Sequence, residues 1–238
     1  MQIIQGDGFT VKIVRSPRRK SLAIKVNQDG ASIHIPSKLP LHFAETFISK
    51  KSAWIKTKLK QQCDREPIPK QFVDGESFSL LGKTYTLQLT DDMTKPTITL
   101  TNDTLTCRAK LETASKTAIS AAVIAWYKNY ATDYLCLRTQ QISSQINLNA
   151  TSVTVKTYRA RWGSCTIRGD IQLNWKLILA PAEISDYVII HELCHTLQHN
   201  HSPQFWQLVS QHCPNYKQAR LWLKENGHSL TVEPYKPN

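Results

Sequence analysis

Residues 188–206 read VIIHELCHTLQHNHSPQFW, from Val188 to Trp206. Four of the chain's eight histidines lie here, with one acidic residue, Glu192. His191, Glu192 and His195 form H-E-x-x-H. On a helix, residues four apart share a face and lie about 6 Å apart along the axis. Two imidazoles at that spacing can converge on one zinc ion with Zn–N bonds of about 2.0–2.1 Å. Glu192 sits one position past the first histidine, so its carboxylate reaches the metal's water rather than the metal, the place of a general base. Ile184, Tyr187, Val188 and Leu197 make the surroundings apolar and predict a largely buried helix. It begins near Pro181, a good first-turn residue, and runs to about Asn200.

Three residues compete to be the third ligand. His199 continues the four-residue series, but eight residues place it about 12 Å along a straight helix from His191, too far for three rings to meet one ion. Cys194 points about 100° around the helix from His195 and reads as packing. His201 follows Asn200, a residue that tolerates the left-handed geometry of a helix end, so a chain reversal there would swing His201 back over the metal. The resulting pattern shares its second-to-third spacing with metzincins, with Gln198 in place of their glycine and no Met-turn in evidence. Three protein ligands leave a fourth position for water, the mark of a catalytic rather than a structural zinc. Zinc is preferred on ligand type, and other divalent metals suit the same donors.

The chain has 238 residues, 41% hydrophobic and 20% charged, the composition of a soluble globular protein. No run of about 18 apolar residues predicts a transmembrane helix, and the N-terminus does not read as a signal peptide, so a cytoplasmic protein with no membrane partner is expected. The six cysteines include no C-x-x-C pair and predict no disulfide framework. The net charge of +12 is uneven: residues 1–62 hold twelve Lys and Arg against Asp7, Asp29 and Glu45, a net of +9. Such an excess attracts nucleic acid, nucleotides or acidic partners, and also suits a plainly solvated face.

Alternation in SLAIKV and SIHIP, about the turn Asn27-Gln28-Asp29-Gly30, predicts a hairpin. One helix should follow Pro40, with Phe43, Phe47, Ile48, Trp54, Ile55 and Leu59 on one stripe. Cys63 to Gln71, with two prolines, reads as a linker. Short strands follow through Leu89, then a hairpin turning at Asn102-Asp103. Residues 112–141 carry the longest helical pattern, with Ile119, Val123, Trp126, Tyr127, Tyr130, Tyr134 and Leu137 as core. SVTVKTY and DIQLNW read as strands flanking RARWGSC. Ser202-Pro203 and Pro214 start the last two helices, and Asn226-Gly227 stops the second. No internal repeat is visible.

HELCHTLQHNHSPQFW, preceded by RARWGSC and IQLN, resembles the YgjP-like metallopeptidase domain family, itself similar to WLM and SprT-like zincins. The resemblance covers most of the chain, including the basic hairpin, the WIKTKLK helix and the LLGKTYTL strands. It implies an α+β, zincin-like fold: a mixed or antiparallel sheet packed on the H-E-x-x-H helix, with an N-terminal β-rich region. It implies zinc ligands His191, His195 and His201 and catalytic Glu192, the residues that spacing also reached. The division expected is a basic β-rich region with one helix over residues 1–107, integral to the family domain, and a catalytic core over 108–238.

In RWGSC, Gly163 reads as a turn residue with unusual backbone angles, with Trp162 and Cys165 packing. Arg161 could hold an anionic group or a developing oxyanion. Tyr158, Tyr187 and His212 are further candidates for the oxyanion. In zincins a strand upstream of the motif helix edges the cleft, and extended substrates pair with it. The chemistry expected is metal-assisted hydrolysis of a peptide or protein substrate. The family resemblance implies a rival, a nucleoside triphosphate (UTP) pyrophosphatase, whose substrate the basic region, Arg159, Arg161 and Arg168 would suit. A non-enzymatic nucleic-acid-binding protein with a structural metal is the third reading. It leaves Glu192 idle and lacks the four, mostly cysteine, ligands of such sites.

Overall fold

The computed structural model describes residues 2–27, 30–63, 69–92 and 95–234. The chain forms two compact units, residues 1–66 and 67–238. This departs from the division expected at residue 107. The reason is packing: Phe78, Leu80, Leu87, Leu105 and Cys107 share one buried cluster with the helices that follow. The break falls inside the expected linker, of which residues 64–68 lie outside the described residues.

In the first unit, β1 (Ile3–Gln5), β2 (Thr10–Ser16), β3 (Ala23–Asn27) and β4 (Gly30–Pro36) form a sheet in the order β1-β2-β4-β3. The outer pairs are antiparallel and the inner pair β2/β4 is parallel. The β3/β4 hairpin is the one predicted, although Gln28 and Asp29 of its turn lie outside the described residues. Val11, Ile13, Ile33 and Ile35 alternate inward and meet Ala44, Ile48 and Ile55 in a separate core. Where one helix was expected there are two, α1 (Leu41–Lys50) and α2 (Ser52–Cys63), because Lys51 leaves helical geometry at φ −106° and ψ 8°.

The second unit opens with β5 (Ser77–Leu80), β6 (Lys83–Asp91), β7 (Thr97–Thr101) and β8 (Thr104–Ala109), ordered β5-β6-β8-β7. Its pairing senses are again antiparallel, parallel, antiparallel. The two sheets thus repeat one topology that the sequence does not display. The turns suit their residues: Leu81-Gly82 and Asn102 adopt positive φ, and Asn102 marks the predicted hairpin.

Helix α3 (Lys116–Ile146) starts later than expected, because the Ser115 hydroxyl caps it by accepting from the Ala118 amide. It ends at left-handed Asn147. Of its predicted stripe, Ile119, Val123 and Tyr127 are buried and Trp126, Tyr130 and Tyr134 are partly so, but Leu137 is 57% exposed. Tyr127 donates to the Ser79 carbonyl at 3.0 Å, tying α3 to β5.

A second sheet of this unit holds β9 (Ser152–Lys156), β10 (Gly163–Cys165) and β11 (Asp170–Asn174) in the order β10-β11-β9. The β9/β11 pair is parallel and the β10/β11 pair antiparallel, so the sheet is mixed, as expected. A 3-10 helix (Trp175–Leu179) leads to α4 (Ala182–Cys194), α5 (Pro203–His212) and α6 (Tyr216–Asn226). Arg138 of α3 grips Asp186 of α4 through two hydrogen bonds of 2.8 and 2.7 Å. The Ser185 hydroxyl donates to the Leu177 carbonyl at 2.9 Å. These contacts fix the motif helix. No helix among the described residues is long and apolar enough to cross a membrane.

Candidate metal centre and active site

Helix α4 ends at Cys194, six residues short of the expected stop at Asn200, and His195 is its C-cap. The Leu197 and Gln198 amides both donate to the Cys194 carbonyl, closing a last turn, and the chain then leaves the helix. Asn200 is not among the residues with positive φ. The reversal therefore comes from early termination of the helix, not from a left-handed Asn200. The Ser202 hydroxyl accepts from the Phe205 amide and starts α5, which carries the chain away again. Between these two ends, the segment from Thr196 to His201 is free to fold back over α4.

The result brings His191, His195 and His201 together, with their candidate ligand atoms all within 4.8 Å of one another. The Nε2 atoms of His191 and His201 are 3.1 Å apart. Two nitrogens bound tetrahedrally to one zinc ion would be separated by about 3.3 Å, so the arrangement fits a metal. His195 Nδ1 lies 2.9 Å from the Gln198 carbonyl. Donation from Nδ1 sets the tautomer and turns Nε2 toward the cluster, the orienting role a carboxylate often plays. Nδ1 of His191 is buried without a hydrogen-bond partner among the described residues. Burial pushes the His191 pKa down to about 3, and burial also lowers that of His195. Both rings are thus held neutral, the form a metal needs. Phe205 packs on the rings of all three histidines at 4.3–4.9 Å. His199 is exposed and lies outside the cluster, and Cys194 is buried in the core, as expected of each. Leu197 is not core: it is 60% exposed, because the helix has already ended.

Glu192 is 5% exposed. Its burial pushes the carboxyl pKa up to about 8, and the nearby positive charge of Arg161 pulls against that rise. Gly163 explains how so large a side chain fits. A Cβ at that position would stand 2.6 Å from Glu192 Oε1 and 2.8 Å from its Cγ. The expected reason for this glycine, an unusual backbone angle, does not hold, since Gly163 has no positive φ. The residue is small because the carboxylate rests against it.

Gly163 also begins β10, an edge strand that was not foreseen as a strand. The Asn174 amide donates to the Trp162 carbonyl at 2.8 Å, and the Thr166 amide donates to the Asp170 carbonyl at 2.9 Å. By the alternation of an antiparallel ladder, residues 162, 164 and 166 face β11, and the backbone groups of Gly163 and Cys165 face the open edge.

Asn174 was not singled out by sequence reasoning beyond its place in IQLN. It is buried, and its side-chain amide donates to the carbonyls of Tyr158 and Arg161 at 3.1 and 3.0 Å. It thereby fixes the loop that carries both. Tyr158 donates its hydroxyl to Gln172 and lies under the Arg161 guanidinium, 5.0 Å from ring centroid to Cζ. Neither residue lines the cavity of about 360 Å³ beside Glu192. Tyr187 does line it, together with Trp162, Gly163, His191 and Glu192. His212 does not.

No curated protein compared with the chain matches it. A solved structure, the metallopeptidase zymogen of Pyrococcus abyssi abylysin, is 20% identical with a TM-score of 0.34, over 38% of this chain and 93% of that one. The assignment rests instead on the family profile of the YgjP-like metallopeptidase domain, which matches residues 20–226 and so spans nearly all of the chain, the three-histidine cluster included. The chain belongs to the YgjP-like metallopeptidase domain family.

Proposed function

We propose that the protein is a zinc-dependent peptidase with His191, His195 and His201 as metal ligands and Glu192 as general base. The observation that carries this reading is the buried Glu192 carboxylate seated on Gly163 beside three converging imidazoles. A zinc ion held by His191, His195 and His201 would supply Lewis acidity and would acidify a water toward pH 7. Glu192 would accept a proton there as general base. Its surroundings suit the task, because burial raises its proton affinity while Arg161 limits the rise. The outward backbone groups of Gly163 and Cys165 support a peptide over a small substrate, since an extended chain can pair with them and lie across Glu192. Arg161 is proposed to steady developing negative charge, while Tyr158 supports it from beneath through their ring contact.

A nucleoside triphosphate pyrophosphatase is the second reading, favoured by the charge of +9 over residues 1–62. That charge also supports nucleic acid as a partner of the first unit. Metal-loaded wild type and Glu192→Gln, assayed on an unfolded protein and on a set of nucleoside triphosphates, separate the readings. The expected result is metal in both proteins, cleavage of the unfolded protein by wild type alone, and a rate loss of about 10²–10⁴-fold or more in the variant. Turnover of triphosphates without proteolysis would replace the peptidase by the pyrophosphatase. Metal in both with no turnover of either would leave a structural site.

A further inference from the structure

We propose that the cavity beside Glu192 is a specificity pocket for a carboxylate adjacent to the scissile bond, and that Arg220 is the residue that reads it. The proposal rests on the peptidase reading above and names the kind of substrate that site takes.

The cavity has a volume of about 360 Å³, at the lower end of the roughly 300–1,000 Å³ typical of ligand pockets and enough for one side chain. His191, Glu192 and Gly163 line one side. Arg220, Leu223 and Lys224 of α6 line another. Positions three and four apart on a helix share a face, so α6 presents two cations flanking a leucine. Trp162 and Tyr187 add apolar wall. A short apolar stem ending in an anion matches this lining.

Arg220 is held in place. Its guanidinium lies 5.0 Å from the Trp206 ring. Trp206 in turn stacks on His201 at 5.6 Å and on Tyr216 at 5.4 Å. One indole therefore registers the guanidinium against a proposed metal ligand, so a group bound by Arg220 has a defined place relative to the reacting bond. Neither Arg220 nor Lys224 forms an ion pair among the described residues. Among the described residues Glu192 is the one acidic residue lining the cavity, and it is seated against Gly163. A planar guanidinium with unused donors takes a carboxylate through two parallel hydrogen bonds. The carboxylate has two sources, an Asp or Glu side chain or the end of a peptide chain.

The test uses the full-length, zinc-loaded protein, with cleavage sites in a peptide mixture mapped by mass spectrometry. Matched peptides bearing Glu, Gln or Lys beside the cleaved bond follow, each with a free and an amidated C-terminus. Wild type should cleave the Glu peptide at least about tenfold better than the Gln peptide, chiefly through KM. Arg220→Glu should invert the order toward Lys, and Arg220→Lys should keep part of the preference. Loss of cleavage on amidation alone would assign the pocket to the chain terminus rather than a side chain. Cleavage by wild type without acidic preference, or an unchanged profile in Arg220→Glu, would overturn the pocket and leave the peptidase standing. If wild type cleaves no peptide, the peptidase reading fails by itself. Binding of the Glu peptide to zinc-loaded Glu192→Gln, measured by calorimetry, then decides the pocket, with Arg220→Glu added in the same background expected to abolish it. Equal binding by Glu and Gln peptides there would also overturn it. Circular dichroism of each variant separates a lost contact from a lost fold.

Discussion

The sheet β1–β4 and the sheet β5–β8 have the same strand order and the same sequence of pairing senses, yet they serve different ends. Corresponding inner strands even match in register, Val11↔Ala31 and Ile13↔Ile33 in one, Leu87↔Leu105 and Leu89↔Cys107 in the other. The first keeps its own core with α1 and α2. The second joins the core of the motif helix: the Leu81 amide donates to the Ile178 carbonyl at 2.7 Å, and Gly82 lies so close to Pro181 that a Cβ would meet it at 3.2 Å. Charge separates them too. Residues 3–63 carry +9, whereas residues 77–146 carry seven basic against five acidic residues, a net of +2. One topology, used twice, supports a site in one place and a cationic surface in the other.

The largest effect should come from the site that the second unit builds. Gly163→Ala puts a methyl group against the Glu192 carboxylate. A displaced base of this kind should lower kcat/KM by about 10²-fold or more while the fold survives. Steady-state kinetics beside a thermal melt check this, and near-normal activity would mean that Glu192 does not need its seat. The two cores come next. Ile33→Ala and Leu87→Ala each truncate a fully buried side chain and should destabilise by about 2–5 kcal/mol. Leu87→Ala should lower the melting of the unit that holds the site and deplete activity with it. Ile33→Ala should leave activity per folded catalytic unit intact, and parallel losses in both variants would break the distinction.

A smaller effect concerns pH in the metal-free protein. The folded Glu192 pKa, about 8, stands above its ordinary value of 4.5. This group's stabilising contribution is full below the ordinary value and is lost as pH rises through about 8. His191 works in the opposite sense: its folded pKa of about 3 lies below 6.5, so its contribution is gained as pH rises through that window. Above pH 6.5 only Glu192 still titrates of the two. Metal-free Glu192→Gln should therefore gain stability on wild type between pH 6.5 and 8.5, by no more than about 1.4 kcal/mol per pH unit. A constant gap in melting temperature would contradict the raised pKa. The smallest effect on catalysis is expected in the first unit. Arg18→Gln, Arg19→Gln and Lys20→Gln together should flatten the salt dependence of DNA binding, its slope falling by up to about 3, with peptide cleavage unchanged.

The motif helix was legible because its information is local. Spacing alone places His191 and His195 on one face with Glu192 one position past the first, and Ser202-Pro203 announces the next helix. His201 was legible as a spacing, but the way it arrives was not: α4 stops at Cys194 with no glycine or proline nearby to mark the end. Gly163 shows a second limit. Its smallness answers to a carboxylate 29 positions away in sequence, and no local pattern carries that. Arg220 is further removed, since its meaning depends on Trp206 and the cavity. The repeated sheet stayed hidden because the repeat is one of pairing rather than of residue identity.

The central claim is that the chain reversal after Cys194 makes His201, not His199, the third ligand. Bound zinc per chain, measured by mass spectrometry on purified His201→Ala and His199→Ala beside wild type, tests it most directly. About one zinc in wild type and in His199→Ala, with a marked loss in His201→Ala, is the expected result. Full occupancy in His201→Ala together with loss in His199→Ala would contradict it.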